Sequence, residues 1–316
     1  MSVPAIQTSR FLGCDVGKAE IAAFHSVSGL TYSIANEPEA LSGFASGLDP
    51  TCFVVCEATG GYENNLLAAL LAANVPAHRA DARKVKAFIR SFGILGKTDA
   101  IDAKALARYA KDRQADLPSW RARDRERLRL HALVMARRDL IKDRLAYANR
   151  RDAPTAETTR PYFEALIESF EAQLVAIETD IQTLIDTCQP IAASVKTLTQ
   201  IPGVGRKTAA ALLALMPELG TTDRRKIAAL AGLAPHPLQS GNEERYRRTR
   251  GGRPEVKRVL FMAALSARKH NPSLKAFFER LVQNGKKPLA AITAIMRKLV
   301  TIANAKLKAE TLAQLS

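Results

Sequence analysis

The chain has 316 residues, 47% of them hydrophobic, and 47 Lys and Arg against 31 Asp and Glu give a formal charge of +16. That length and apolar share exclude a disordered or fibrous chain, while so large a cationic excess points to a polyanionic partner, nucleic acid before membrane. No apolar run nears the roughly 18 residues that span a bilayer, residues 1–10 lack the apolar segment of a signal peptide, and Cys14, Cys52, Cys56 and Cys188 show no CxxC spacing, as expected of a reduced, cytoplasmic, nucleoid-associated protein with neither zinc site nor disulfide frame.

Three short β-like runs, "FLGCDVG", "EIAAFHSV" and "LTYSIAN", occupy residues 11–36 with Gly and polar punctuation between them, the pattern of an antiparallel meander. A helical stretch near 38–47 precedes the apolar strand "CFVVCEA". Then come the helical "YENNLLAALLAANV", the short strand "PAHRAD", and helices over 82–91 and 99–113. This order, β-β-β-α-β-α-β-α, predicts a mixed sheet with helices packed against it.

From Trp120 to Asn149 a long helix without Gly or Pro is predicted; residues 121–151 carry eleven basic and four acidic side chains. After the break "DAPTAETTRP", residues 162–187 read as a second long helix with no Lys or Arg but with Glu164, Glu168, Glu171, Glu178, Asp180 and Asp186. One basic and one acidic helix across a short break predict an antiparallel hairpin with complementary flanks. Beyond Pro190 the chain reads as helical. The fold class is therefore α/β plus all-α, with a mixed-sheet domain over 1–115, a helical hairpin over 116–190 and a helical domain over 191–316.

Four carboxylates stand out. Asp15 falls in the first strand, in "GCDVGK", and Glu57 ends the fourth, in "VVCEATGG". A carboxylate inside an apolar strand is costly unless it is paired or bound to a metal. Asp99 and Asp102, in "GKTDAIDAKALARYA", share one face at the start of a helix. They could serve the helix dipole, pair with Lys97, Lys104, Arg108 and Lys111, or hold a divalent metal. If that helix packs across the sheet end that carries Asp15 and Glu57, four hard oxygen donors converge, a set suited to Mg²⁺ or Mn²⁺ and to phosphodiester chemistry.

Further on, "IPGVGRKTAAALLA" fits an apolar-x-Gly-x-Gly-basic turn that opens a helix in helix-hairpin-helix style. The backbone N–H groups around Gly203 and Gly205, with Arg206 and Lys207, are expected to cradle a phosphate. Next to it, Pro235 and Pro237 break the helix and Ser240-Gly241 sits at a turn. Arg245, Arg247, Arg248, Arg250, Arg253, Lys257 and Arg258 crowd the following stretch. Guanidinium groups there could hold a scissile phosphate for attack by the Ser240 hydroxyl.

The segments "GCDVGK", "VVCEATGGY" and "GKTDAIDAKALARYA" resemble the RuvC-like, RNase H-fold domain of bacterial insertion-sequence transposases with an Asp-Glu-Asp-Asp site, whose relatives include the Piv DNA invertases. "GLAPHPLQSGN" and the residues after it resemble the C-terminal transposase domain of the same family. The resemblance implies an RNA-guided, site-specific DNA recombinase or transposase of an insertion sequence. In it Asp15, Glu57, Asp99 and Asp102 would bind Mg²⁺, and Ser240, at the place of the family's nucleophilic serine, would form a phosphoserine link to DNA. It further implies donor and target DNA as substrates, a structured non-coding (bridge) RNA as guide, and a homodimer or homotetramer with composite active sites, joined through the helical hairpin. Two rival readings use the same residues: a metal-dependent Holliday-junction resolvase or nuclease with no covalent step, and an inactive nucleic-acid-binding relative.

Overall fold

The computed structural model describes residues 10–93, 98–122, 124–240 and 243–315, and of residues 236–240, 243–248, 314 and 315 the backbone only. They fall into two compact units, Met1–Ala122 and Arg123–Ser316.

The first unit runs β1 (Phe11–Val16), β2 (Glu20–His25), β3 (Thr31–Ala35), α1 (Pro38–Ser46), β4 (Phe53–Glu57), α2 (Asn64–Ala72), β5 (Ala77–Ala80), α3 (Ala82–Arg90) and α4 (Asp99–Arg113). The expected element order is thus met. Its five-stranded sheet has the order β3-β2-β1-β4-β5, antiparallel through the β1–β2–β3 meander and parallel from β1 to β4 and from β4 to β5. β1 and β4 are central and covered on both faces, which is why they read as nearly continuous apolar runs rather than alternating ones. Edge strand β3 is mostly exposed.

Strand alternation divides the core in two. Leu12, Cys14, Val16, Val54 and Cys56 pack with Leu41 of α1 and Leu66, Leu67 and Leu70 of α2. On the opposite face Phe11, Phe53 and Val55 pack with Val85 of α3 and with Leu106, Tyr109 and Ala110 of α4. Gly13, on that second face, lets α4 lie directly on the sheet: a Cβ there would stand 2.0 Å from the Ala103 oxygen and 2.3 Å from the Ala107 nitrogen. The chain leaving α4 returns to the start of β5, where the Trp120 N–H donates to the Ala77 oxygen (2.5 Å) and His78 Nδ1 lies 2.8 Å from the Pro118 oxygen. α4 therefore runs antiparallel to β1, β4 and β5, with its N-terminus toward their C-terminal ends.

The second unit comprises α5 (Arg125–Arg151), α6 (Arg160–Thr187), α7 (Gln189–Thr199), α8 (Arg206–Leu215), α9 (Arg224–Leu230), β6 (Pro235–Ser240), β7 (Glu243–Thr249), α10 (Pro254–His270), α11 (Pro272–Gln283) and α12 (Pro288–Leu315). Arg137 pairs with Glu178 and Arg144 with Glu171, so moving forward along α5 means moving back along α6. This is the antiparallel, charge-complementary hairpin expected from the sequence. Tyr147 of α5 adds ring contacts to Phe163 and Phe170 of α6. A single core joins Leu130 and Leu184 of the hairpin to Leu198, Leu212, Met216, Ile227, Leu260, Ile295 and Leu299 of the later helices.

This region is helical as expected, except where β6 and β7 form an antiparallel hairpin. The sequence there reads only as a helix break, because Pro235 and Pro237 interrupt the first strand and charge masks any alternation in the second. No helix of the described residues is long and apolar enough to cross a membrane.

Candidate active site

The parallel β1–β4 ladder pairs Gly13 with Val55 and Cys14 with Cys56. Asp15 and Glu57 are the next residues along each strand, so their Cα atoms stand about one strand spacing apart, roughly 5 Å. Both are half-buried and both fall on the face that carries Gly13 and Val55, the one covered by α4. Their neighbours Cys14 and Cys56 point the other way and are buried. Burial, with Cys56 and Asp15 adding to it, raises the Cys14 thiol far above its ordinary value. Burial, then the Glu63 charge, pushes Cys56 up to about 12. Both thiols belong to the core on the face away from α4.

Asp99 and Asp102 occupy the first turn of α4. Thr98 caps that helix, its hydroxyl accepting from the Ile101 N–H at 3.2 Å. That bond satisfies one of the N–H groups left open at the helix start. Asp99 is exposed and Asp102 half-buried. Because α4 is antiparallel to β1, the pair lies at the sheet end that carries Asp15 and Glu57. Among the described residues, however, no group of three or more His, Cys, Asp or Glu side chains is close enough to hold a metal ion. The fold brings the four acids to one end without closing them into a ligand sphere. All are carboxylates, a donor set that fits a hard divalent cation such as Mg²⁺.

Two side chains that the sequence reading passes over organise the loops behind Asp15 and Glu57. Glu63 is only 2% exposed, and its Oε2 accepts from the Thr59 and Gly61 N–H groups at 3.1 and 2.9 Å. Its Oε1 lies 3.3 Å from Nη1 of Arg79 on β5. Asn36, 9% exposed, donates through Nδ2 to the Gly17 oxygen at 2.9 Å and the Tyr62 oxygen at 3.1 Å. Its Oδ1 is buried with no partner, a penalty of about 1–3 kcal/mol. The only sequence signal for Glu63 was an acid just after "GG" at a helix start; for Asn36 there was none.

The basic residues divide three ways. Arg206 and Lys207, expected to face phosphate, are engaged by the acidic helix: Arg206 pairs with Asp186, and Lys207 Nζ lies 2.6 Å from Oε2 of Glu178. Arg137 reaches the other Glu178 oxygen. The Lys207 and Arg137 bonds hold Glu178 below the usual glutamate range, and bonds from Gln182 and Arg206 lower Asp186. Gly203, at φ +96°, serves packing as much as the turn, since a Cβ there would come within 2.5 Å of the Ala267 Cα on α10. Gly205 precedes α8, whose N-terminus has no side-chain cap.

Arg253 forks onto Glu218 at 2.7 and 2.6 Å and also donates to the Leu215 oxygen at 2.9 Å, a structural clamp rather than an open cation. Arg250 is exposed. The side chains of Ser240, Arg245, Arg247 and Arg248 lie outside the described residues. Their backbone places Ser240 at the end of β6 opposite Glu243, with the three arginines along β7.

Residues 195–279 match the family described as "Transposase IS116/IS110/IS902 family", and residues 12–154 match a second family described as "Transposase". The chain is 30% identical over 263 residues to the pilin gene-inverting protein of Moraxella lacunata, across 81% of this chain and 80% of that protein. Its counterpart in Moraxella bovis is matched to the same extent. A 43.6 kDa protein of insertion element IS110 from Streptomyces coelicolor is 28% identical over 157 residues, covering 49% of this chain and 38% of that protein.

Proposed function

The chain belongs to the IS116/IS110/IS902 family of transposases, which makes it a DNA recombinase, and on that premise we propose a two-part mechanism for strand cutting and rejoining. Asp15, Glu57, Asp99 and Asp102 hold Mg²⁺ or Mn²⁺, which when bound neutralises charge at the scissile phosphate. Ser240 is the nucleophile. Its Oγ displaces one sugar oxygen at phosphorus, forming a phosphoserine ester and freeing a hydroxyl end. The serine loses one proton and the departing oxygen takes one up, so rejoining is the same step run backwards.

The observation that carries this reading is the β1–β4 register. It sets two half-buried carboxylates side by side on the face that meets the acidic start of α4. Like charges so arranged favour a bound cation.

Residues 203–207 with Arg245, Arg247, Arg248 and Arg250 are the proposed nucleic-acid contacts, acting on donor and target DNA. A structured guide RNA supplies target choice, consistent with a charge of +16 that exceeds the needs of one short duplex. The α5–α6 hairpin joins copies into a dimer or tetramer in which one copy's serine meets another copy's carboxylates.

The test is an in vitro reaction with Mg²⁺, element DNA and its flanking non-coding RNA, followed by denaturing electrophoresis for protein attached to DNA. The covalent adduct is expected from the parent, absent from Ser240→Ala, and absent from Asp15→Asn or Asp102→Asn. Recombination that persists in Ser240→Ala would replace the covalent route with resolvase-type hydrolysis. Target choice that is unchanged without RNA would remove the guide.

A further inference from the structure

Asp15 and Glu57 stand one residue beyond the last paired position of the β1–β4 ladder, Cys14 with Cys56. There Asp15 still pairs with Ala22 of β2 and Glu57 with Ala80 of β5, but the segments that follow them, from Gly17 and from Thr59 onward, lie outside the β1–β4 ladder, and two metal-binding carboxylates need a constant separation. The turn after β1 and the loop after β4 are tied together by a side chain from outside both strands.

Asn36 is that tie. Its main-chain N–H donates to the Ala19 oxygen at 2.8 Å, seating it on the β1–β2 turn. Its Nδ2 then bridges Gly17, two residues after Asp15, and Tyr62, five residues after Glu57. Glu63 stiffens the far side of the bridge. Its buried carboxylate gathers the Thr59 and Gly61 N–H groups, while Arg79 anchors it to β5 at the position paired with Cys56. The Thr59 hydroxyl donates back to the Glu57 oxygen at 3.2 Å, so the loop is referenced to the carboxylate's own backbone. The Asn36 Oδ1 is buried with no partner, so the side chain's hydrogen bonding runs through Nδ2 alone.

We propose that Asn36 and Glu63 are positioning residues that set the spacing of Asp15 and Glu57 for a divalent cation. The inference rests on the metal-binding reading of those two acids. Neither residue is assigned contact with metal or DNA. They act by clamping the loops that follow the two strands.

The experiment measures Mn²⁺ binding to the full chain by electron paramagnetic resonance, without DNA, alongside thermal unfolding. Mg²⁺ titrations of DNA cleavage accompany both. Asn36→Ala should weaken Mn²⁺ affinity about 10-fold and raise the Mg²⁺ needed for half-maximal cleavage by the same factor, with the rate at saturating Mg²⁺ nearly restored. Glu63→Gln keeps the shape and the acceptor for both N–H groups but loses the Arg79 ion pair. It should shift affinity in the same direction, and it provides the answer if Asn36→Ala fails to fold.

Asn304→Ala is the control for general damage. That buried residue makes comparable bonds to Gly220 and Thr222 in the other unit, so its loss should lower the melting temperature and leave Mn²⁺ affinity alone. If the parent binds Mn²⁺ and Asp15→Asn does not, but both positioning variants bind like the parent, the clamp is wrong and the metal site stands. If the parent binds no Mn²⁺, the metal site falls and the clamp with it.

Discussion

Gly13 and Ala103 meet backbone to backbone: a Cβ on Gly13 would lie 2.0 Å from the Ala103 carbonyl oxygen, with the Ala107 nitrogen and the Leu106 carbonyl carbon also under 3 Å away. None of these atoms belongs to a side chain that could swing aside. The contact sets the height of α4 above the sheet, and hence how near Asp99 and Asp102 come to Asp15 and Glu57.

Gly13→Ala should therefore force α4 outward. A loss of about 3 kcal/mol or more is expected in denaturant unfolding, at the upper end for overpacking, because rigid main chain is displaced. A variant as stable as the parent would mean that α4 does not sit where the Gly13 contact places it.

Removing the acids that occupy the predicted phosphate cradle tests that cradle. In Glu178→Gln with Asp186→Asn, Arg206 and Lys207 lose their carboxylate partners. Duplex affinity at low salt should rise several-fold, and the slope of log affinity against log salt should steepen by roughly 0.9 per freed cation. Weaker binding would show instead that the carboxylates hold the cations in a productive pose.

Arg253 and Arg250 should part company despite lying three residues apart. Arg253→Met breaks a forked ion pair to Glu218 and a bond to the Leu215 oxygen, so about 2 kcal/mol of stability should go. Exposed Arg250→Ala should leave stability within about 0.5 kcal/mol and lower duplex affinity. Thermal melts and fluorescence anisotropy on the same preparations separate the two effects.

The buried thiols predict an alkaline weakness. Cys14 and Cys56 resist ionisation in the folded state, while an unfolded chain releases those protons near the ordinary thiol value of 9.0. Their contribution to stability is complete below that value and is lost as pH rises from about 9 toward about 12. Half-buried Cys188 should react with a thiol reagent well before either, as mass spectrometry of a labelling time course will show.

The elements of the first unit were legible because each apolar run has its own period and its own Gly or Pro boundary. The placement of Asp15 and Glu57 at neighbouring strand ends was legible for a different reason: a carboxylate within such a run has no cheap explanation. What escaped is what depends on distant partners. Asn36 earns its place from Gly17 and Tyr62, and nothing around "IANEP" announces either one. The pairing of Arg206 with Asp186 and of Lys207 with Glu178 follows from how α8 packs beside α6, which no local pattern encodes. The β6–β7 hairpin was hidden by its own prolines and arginines.

The order of the sheet also governs when its two central strands can meet during folding. β1 is made first, but its parallel neighbour β4 follows only after the meander and α1, and α4 comes later still. Contacts so distant along the chain close slowly. Asp15 thus emerges from the ribosome well before Glu57 and the start of α4. The end of the sheet where Asp15, Glu57 and the start of α4 come together is therefore completed only once α4 has been made.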